Sequence, residues 1–253
     1  MRVALTGGSS GIGAALVAEF KAAGHEVVSF DIAEPQGADR WIETDLSDPA
    51  SIDEALAAAD APFDALINNA GLPPRDGLAR KVLEVNWFGL TQFLDGMLDK
   101  LADGASIVNT ASRAGAMWRD NIEEVKALRT LPREDLLGFI ADRNMDAIRA
   151  YNLSKEAVIV MTTARTEEMI KRGFRMNAVS PSAVSTGILD DFVNAFGERA
   201  AKSIARAGRP AAPEEVAAVI AFLASPASHW IKGQNITVDG GMSAMATTDM
   251  MGL

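Results

Sequence analysis

The 253-residue chain reads as an α/β protein: a doubly wound, seven-stranded parallel sheet with helices on both faces. Three observations predict it. Short apolar runs alternate with amphipathic stretches along the chain, and strands joined in this way need right-handed crossovers and a sheet covered on both sides. No Pro/Gly/Ser-rich linker interrupts the pattern, so residues 1–253 are expected to form one domain. The residues suited to chemistry fall just after the strands, where sheets of this kind bind ligands.

The first strand, 2–5, rests on Val3-Ala4-Leu5. A helix over 12–23 places Ile12, Leu16 and Phe20 on one face, and Gly24 closes it. Further strands are expected at 26–30, 39–44, 64–68, 105–110, 174–179 and 235–238, with helices at 50–59, 78–101, 151–171 and 213–224.

Between the first strand and helix lies Thr6-Gly7-Gly8-Ser9-Ser10-Gly11-Ile12-Gly13. Strand, tight turn and helix start are the context a phosphate-cradling loop needs. Gly7 permits the turn, Gly11 leaves bare backbone for a pyrophosphate, and Gly13 lets the helix sit close to the sheet. The helix N-terminus offers unpaired N–H groups and partial positive charge. Asp31 ends the second strand, 18 residues after Gly13. A carboxylate there accepts hydrogen bonds from ribose hydroxyls and repels a 2′-phosphate, which Ser9, Ser10 and Ile32 could not neutralise. That chemistry favours NAD over NADP.

Asp45, after the third strand, can bond the adenine amine with Leu46 beside the ring, or serve only as a turn residue before Ser47. Asn68-Asn69-Ala70-Gly71 follows the fourth strand, where small residues admit close approach and asparagine can tie strands together. Asn86 is a polar side chain inside an apolar helical stretch and must find partners, most simply in nearby backbone. The fifth strand runs into Ser112. Tyr151, the only tyrosine, and Lys155 share a helix face one turn apart. An ammonium beside a phenol favours the phenolate, which makes it a usable proton acceptor.

Composition removes other function classes. A net charge of −10 disfavours nucleic acid and anionic membranes as partners. With no cysteine, disulfides and thiolate metal sites are excluded, which fits a cytoplasmic setting. His25 and His229 are the only histidines, too few for a histidine metal cluster. Neither a signal peptide nor a membrane span is expected.

With these motifs in place, the chain resembles the short-chain dehydrogenases/reductases of the short, single-domain type over essentially its whole length. The resemblance is carried by the Thr6–Gly13 loop, Asp45, Asn68-Asn69-Ala70-Gly71, Asn86, Ser112, Tyr151, Lys155, Asn177, Pro181 and the tail Gly233–Gly241. It implies a Rossmann fold and reversible hydride transfer between a nicotinamide and an alcohol or carbonyl carbon. The implied tetrad is Asn86, Ser112, Tyr151 and Lys155. Tyr151 takes the hydroxyl proton, Ser112 holds the substrate oxygen, and Lys155 binds the nicotinamide ribose. Asn86 positions a water linking Lys155 to solvent. Cofactor contacts are implied at Gly7, Ser10, Gly11, Ile12 and Gly13, at Asp31, Ile32, Asp45 and Leu46, and at Asn69, Ala70 and Gly71. Tyr151, Lys155, Pro181, Val184 and Thr186 complete them, with the Thr186 hydroxyl holding the carboxamide.

Two features depart from the usual pattern. Ser182 stands where glycine commonly follows the proline. Ser112 and Tyr151 are also unusually far apart, which marks 113–150 as an insertion with helical pieces at Ile122–Leu128 and from Pro132, the latter turning Leu136, Leu137, Phe139 and Ile140 inward. Such an insertion resembles the 3α-hydroxysteroid dehydrogenase/carbonyl reductase and coniferyl-alcohol dehydrogenase branch. There it lies by the active-site mouth and blocks the four-helix contact of tetramers, so a homodimer through the C-terminal helix and last strand is expected. Residues 182–212 are expected to form a substrate lid that orders on cofactor binding. Ser112, Met117, Trp118, Ile188, Leu189 and Phe192, with Phe196, would wall an apolar pocket for a small cyclic or aromatic substrate, and Asp190 and Asp191 would discourage an anion if they faced it. The sequence therefore points to an NAD-dependent alcohol dehydrogenase/carbonyl reductase. Its rivals are an NADPH-dependent ketoacyl-type reductase and a catalytically silent nucleotide sensor, which would need neither Tyr151 nor Lys155.

Overall fold

The computed structural model describes residues 1–253, except the side chain of Arg199. In chain order the elements are β1 (Arg2–Thr6), α1 (Gly11–Ala22), β2 (Glu26–Asp31), β3 (Arg40–Glu43), α2 (Pro49–Ala58), β4 (Phe63–Asn68), α3 (Ala79–Leu83), α4 (Leu90–Met97), β5 (Leu101–Thr110), α5 (Ile122–Arg129), α6 (Leu136–Asp142), α7 (Ala147–Ala164), α8 (Thr166–Lys171), β6 (Arg175–Pro181), α9 (Leu189–Ala207), α10 (Pro213–Ala224), β7 (Asn235–Val238) and α11 (Met242–Met251). The seven strands are all parallel, in the order β3-β2-β1-β4-β5-β6-β7. The chain starts mid-sheet, winds to one edge, then crosses back past β1 and winds to the other. The direction reverses between β1 and β4, where Thr6 and Asn68 end level with Asn109 of β5, and the crevice at such a reversal is where these sheets bind ligands.

Strand alternation divides the core between the two faces. Val3, Leu5 and Ile67 pack with Leu16 and Phe20 of α1 and Ile220 of α10. Ala4, Phe30, Leu66 and Ile107 pack on the other face with Phe93 and Leu94 of α4 and Val158 of α7. These side chains are fully buried, each contributing roughly 1.5–3 kcal/mol if large.

The predicted helix over 78–101 is interrupted. A π-helical turn spans Glu84–Gly89 between α3 and α4, and a 3-10 turn, Leu98–Lys100, ends the run as β5 starts at Leu101. At Gly89 the helix passes so close to the Leu46 loop that a Cβ would lie 2.0 Å from the Leu46 carbonyl. Helix α7 begins a turn earlier than expected because Asp146 caps it, accepting from Arg149 N at 2.7 Å. Two helices were not anticipated. α9 lies within the expected lid, its apolar Phe192 and Phe196 hidden among polar neighbours and its run broken at Gly197 (φ 52°). α11 buries only Met242 and carries no apolar stripe. In α6, Leu136 and Phe139 face inward as expected, but Leu137 is 57% exposed. No helix is long and apolar enough to cross a membrane, and the described residues hold no cluster of three or more metal-ligating side chains.

Candidate active site

A single cavity of about 710 Å³ runs along the carboxyl ends of the strands, from Asp31 and Ile32 at one end to Phe192 and Phe196 at the other. Its first half is walled by backbone. Gly7 turns at φ 73°, and Ala70 packs against it so tightly that a Cβ would meet the Ala70 Cα at 2.8 Å. A Cβ on Gly13 would fall 1.7 Å from the Gly7 carbonyl, so only glycine lets α1 start this close to β1. Gly13 does not itself reach the cavity; it positions the residues that do. Ser10, in extended conformation, precedes α1 without a side-chain cap, leaving the first-turn amides to the cavity.

Side chains brace this backbone. Thr6 Oγ1 accepts from the amides of Asn69 and Ala70, and Asn69 Nδ2 donates to the Gly7 carbonyl at 3.1 Å. Asn68 donates to Asn109, which donates to Thr162 of α7, a cross-strand tie of the expected kind. The Asp31 carboxylate accepts from Ser9 N at 2.8 Å and Ala33 N at 3.2 Å, which fixes it at the rim. Asp45 lines the cavity and is also the turn residue of the alternative reading, accepting from both the amide and hydroxyl of Ser47. Burial works against its charge, but the Ser47 hydrogen bonds and Lys81 hold the carboxyl below its ordinary range. Ile32, Leu46, Ala70, Gly71, Pro181, Val184 and Thr186 also line the wall.

Ser112, Tyr151 and Lys155 meet where the two halves join. Tyr151 is 5% exposed, and the Phe192 ring covers it edge-on with centroids 5.3 Å apart. Lys155 is 4% exposed; its Nζ donates to the Thr110 carbonyl at 2.9 Å and lies 5.8 Å from the Tyr151 ring centre. No carboxylate pairs with it among the described residues, so burial alone brings the ammonium down to about 8. Asn86, carried by the π turn, accepts from Leu72 N at 2.7 Å and donates to the Leu72 carbonyl at 3.0 Å. It therefore pins a distant loop rather than its own helix. Gly71 sits between the two side chains: a Cβ there would lie 3.2 Å from Asn86 Oδ1 and 3.5 Å from Lys155 Nζ.

One electrostatic expectation reverses. The ammonium was expected to lower the phenol's pKa, yet burial pushes Tyr151 up to about 12, with only the neighbouring Ser112 hydroxyl working the other way. Lys155 directs its charge at the Thr110 carbonyl, and burial of the phenol sets the direction.

The substrate half differs more from the sequence reading. Ser112, Ile188, Phe192 and Phe196 line it, whereas Met117, Trp118 and Leu189 do not. Met117 is 56% exposed, and the Trp118 ring packs toward the core with the Arg119 guanidinium 4.2 Å from its centre. Leu189, the first residue of α9, is not part of the wall that Ile188 and Phe192 form. Asp191 is taken up by Arg75, whose Nε and Nη2 donate to its two oxygens at 3.0 and 2.9 Å, and this fork joins the loop after β4 to α9 across the cavity mouth. Neither Asp190 nor Asp191 lines the cavity; Arg75 and Arg113 do. The sequence reading missed both arginines. Only the position of Arg113, directly after Ser112, could have marked one of them.

Comparison with known proteins agrees with this geometry. The family profile described as short chain dehydrogenase matches residues 2–123, and that described as Enoyl-(Acyl carrier protein) reductase matches 137–243. A coniferyl-alcohol dehydrogenase from Pseudomonas sp. is 35% identical over 249 residues, covering 96% of each chain. The chain belongs to the short-chain dehydrogenases. A 3-alpha-hydroxysteroid dehydrogenase/carbonyl reductase from Comamonas testosteroni is 31% identical over 261 residues, covering 96% of both. The crystal structure of the 3-alpha-hydroxysteroid dehydrogenase from Pseudomonas sp. B-0831, complexed with NADH, superposes with a TM-score of 0.87 at 32% identity, covering 97% of this chain and 98% of that one. This short-chain dehydrogenase is accordingly an oxidoreductase with a Rossmann-type fold.

The insertion of this dehydrogenase contributes little to the cavity wall. Of residues 113–150, only Arg113 and Ala114 reach the cavity. α5 packs against the catalytic helix α7, and α6 against α3. Arg149 of α7 donates to Glu124 of α5 at 2.7 Å and, through both terminal nitrogens, to Glu156, which is 1% exposed and also accepts from Asn121. Arg133 donates to the Ser47 carbonyl at 2.7 Å, its guanidinium 5.8 Å from the Phe88 ring centre.

Proposed function

We propose that this dehydrogenase transfers hydride reversibly between NAD(H) and an alcohol or ketone carbon of a small, largely apolar cyclic or aromatic substrate. The observation that carries the reading is a covered phenol next to an ammonium with no carboxylate partner, midway along a cavity whose far end is a glycine cradle. A binding module gains nothing from burying an unpaired ammonium, which weakens folding.

The glycine cradle fits a dinucleotide: the space a Cβ would fill at Gly7 and Gly13 is taken by neighbouring backbone, leaving α1's first amides free for phosphate. Gly11, Ile12 and Ser10 would hold the pyrophosphate, and Asp45 and Leu46 the adenine. Asn69, Ala70 and Gly71 shape the floor, while Pro181, Val184 and Thr186 flank the nicotinamide end. Support for NAD over NADP comes from the Asp31 carboxylate, held at the rim by backbone amides, beside an Ile32 that is 67% exposed and carries no charge. When bound, the dinucleotide supplies the ring carbon that exchanges hydride and, oxidised, a positive charge.

During oxidation Ser112 holds the substrate oxygen and Tyr151 takes the hydroxyl proton. Lys155 binds the nicotinamide ribose and stabilises the phenolate; in reduction the proton flow reverses. Asn86 keeps the Gly71–Leu72 backbone in place beside Lys155 and serves the water through which the proton reaches solvent. Exclusion of water by Phe192 raises the phenol's pKa before cofactor binds and strengthens every charge interaction afterwards. Tyr151→Phe is expected to lower kcat by about 1,000-fold or more while leaving NADH binding within about twofold, since a general base contributes typically 10²–10⁴-fold. Turnover near the native rate in that variant would refute the assignment.

The same chain is read as a homodimer through the helix expected at 213–224, α10, and β7. The insertion supports this by covering part of the face around α7 and Phe88, while Phe222 of α10 and Trp230, shortly before β7, are exposed. A stable tetramer in sedimentation would overturn it.

A further inference from the structure

We propose that Arg113 anchors a carboxylate at the far end of the substrate, so that the alcohol or ketone this enzyme takes is the apolar body of an acid. The inference rests on the redox reading above and specifies its substrate.

Four cationic side chains line the cavity: Arg75, Lys81, Arg113 and Lys155. Two are engaged by hydrogen bonds and a third, Lys81, belongs to the other half of the cavity. Arg75 spends its fork on Asp191, Lys155 donates to the Thr110 carbonyl, and Lys81 acts on Asp45 in the adenine half. Arg113 is different. Among the described residues its guanidinium donates no hydrogen bond, and its one acidic neighbour, Asp239, stands 3.7 Å from Nε, beyond hydrogen-bond distance. That ion pair is loose, and the Asp239 Oδ2 nearest Arg113 is already taken by a backbone amide. The Asp239 oxygens accept from Gly241 N at 3.0 Å and Ser243 N at 2.7 Å, at the N-terminus of α11, where the helix dipole also offsets its charge. The side chain of Arg113 is only 33% exposed. A partly desolvated guanidinium with two unengaged terminal nitrogens is the fork that binds carboxylate bidentately.

Its place in the chain fixes its place in the reaction. Arg113 directly follows Ser112, whose Oγ accepts from Ala114 N at 3.1 Å, so the turn that aims the hydroxyl at the reacting oxygen also carries the guanidinium. Phe192, Phe196 and Ile188 supply apolar wall to the same cavity. A substrate with its carbinol carbon at Tyr151 and its ring against Phe192 would place a terminal acid by Arg113. The acidic pair that would have repelled such a group, Asp190 and Asp191, does not line the cavity.

The test uses the complete enzyme with NAD and two scaffolds, each as an acid and as its primary amide: para-substituted α-methylbenzyl alcohols and a hydroxysteroid with an acidic side chain. The native enzyme is expected to prefer the acid of at least one scaffold by about tenfold or more in kcat/KM, chiefly through KM. Arg113→Gln should erase that acid-to-amide ratio, Arg113→Lys should keep part of it, and added salt should shrink it. Equal use of acid and amide by the native enzyme would overturn the anchor while leaving the redox reading intact. A loss in Arg113→Gln that is the same for acids and amides would also overturn it, since that is the signature of a structural role. If none of the four compounds yields NADH, the inference falls together with the redox reading.

Discussion

At the Asp31 end the cavity is walled by backbone, drawn from the β1–α1 turn and the ends of β2 and β4, and a missing Cβ there is as important as any side chain. At the Phe192 end it is walled by side chains from segments far apart in sequence, and Arg75 meets Asp191 across 116 residues. The first half must hold one unchanging ligand, so close backbone fit is rewarded and tolerance is small. The second half can be rebuilt by exchanging side chains on loops and on α9 without disturbing the sheet. The proposed hydride-transfer chemistry lies at their junction, where Ser112, just after β5, meets Tyr151 and Lys155 of α7.

The largest effect expected from this contrast is in the backbone half. Gly13→Ala puts a Cβ 1.7 Å from the Gly7 carbonyl, and neither partner is a flexible side chain. We expect a stability loss of about 3 kcal/mol in urea unfolding, with NADH binding abolished in fluorescence titration. A variant that binds NADH normally would show that the helix start is far more pliable than its packing implies.

At the junction the expected effect is smaller and depends on pH. Burial lowers Lys155 from 10.5 to about 8, so between those values the unfolded chain holds a proton that the folded chain has released. Below about 8 the folded state carries the full cost of a buried ammonium, and this cost fades as pH rises toward 10.5. Without cofactor, Lys155→Met should therefore be more stable than the native enzyme at neutral pH by on the order of 1–3 kcal/mol, less the lost bond to the Thr110 carbonyl, while losing turnover. Melting curves of both proteins across this range check the sign: the difference should narrow with rising pH.

The smallest effect is expected in the side-chain half. Arg75 is about half exposed, and an exposed ion pair contributes only about 0.2–1 kcal/mol. Arg75→Ala should leave kcat nearly unchanged, raise KM for an aryl alcohol about threefold, and increase protease cleavage in α9. A collapse in kcat would mean that the fork does more than hold α9 across the mouth.

The same division governs what the sequence could disclose. The cofactor half is written locally: Gly7, Gly11 and Gly13 sit within one turn, Asp31 ends the next strand, and Tyr151 and Lys155 share a helix face. Each signal needs only near neighbours, so pattern and spacing suffice. The substrate half depends on contacts that no local period records. Met117 and Trp118 looked like pocket wall because they are large, apolar and close to Ser112, but the turn at Arg113–Gly115 carries them outside. α9 was hidden because its apolar face is two phenylalanines in a charged run with a glycine break. The early start of α7 was legible in Asp146, a capping residue passed over because the motif begins at Tyr151. Arg113 was overlooked because a cation after a serine is unremarkable until its lack of hydrogen bonds inside the cavity is visible. The phenol's upward shift could not be read at all, because proximity to a lysine is visible in sequence and burial beneath Phe192 is not.

The central claim is that a covered phenol becomes a proton acceptor only when the dinucleotide completes the site. Tyr151 is the only tyrosine, so the phenolate band in an ultraviolet pH titration reports this hydroxyl alone. The account predicts ionisation near about 12 in the free enzyme and a clear downward displacement with saturating NAD, a displacement that Lys155→Met should largely remove. The same midpoint with and without NAD would contradict it.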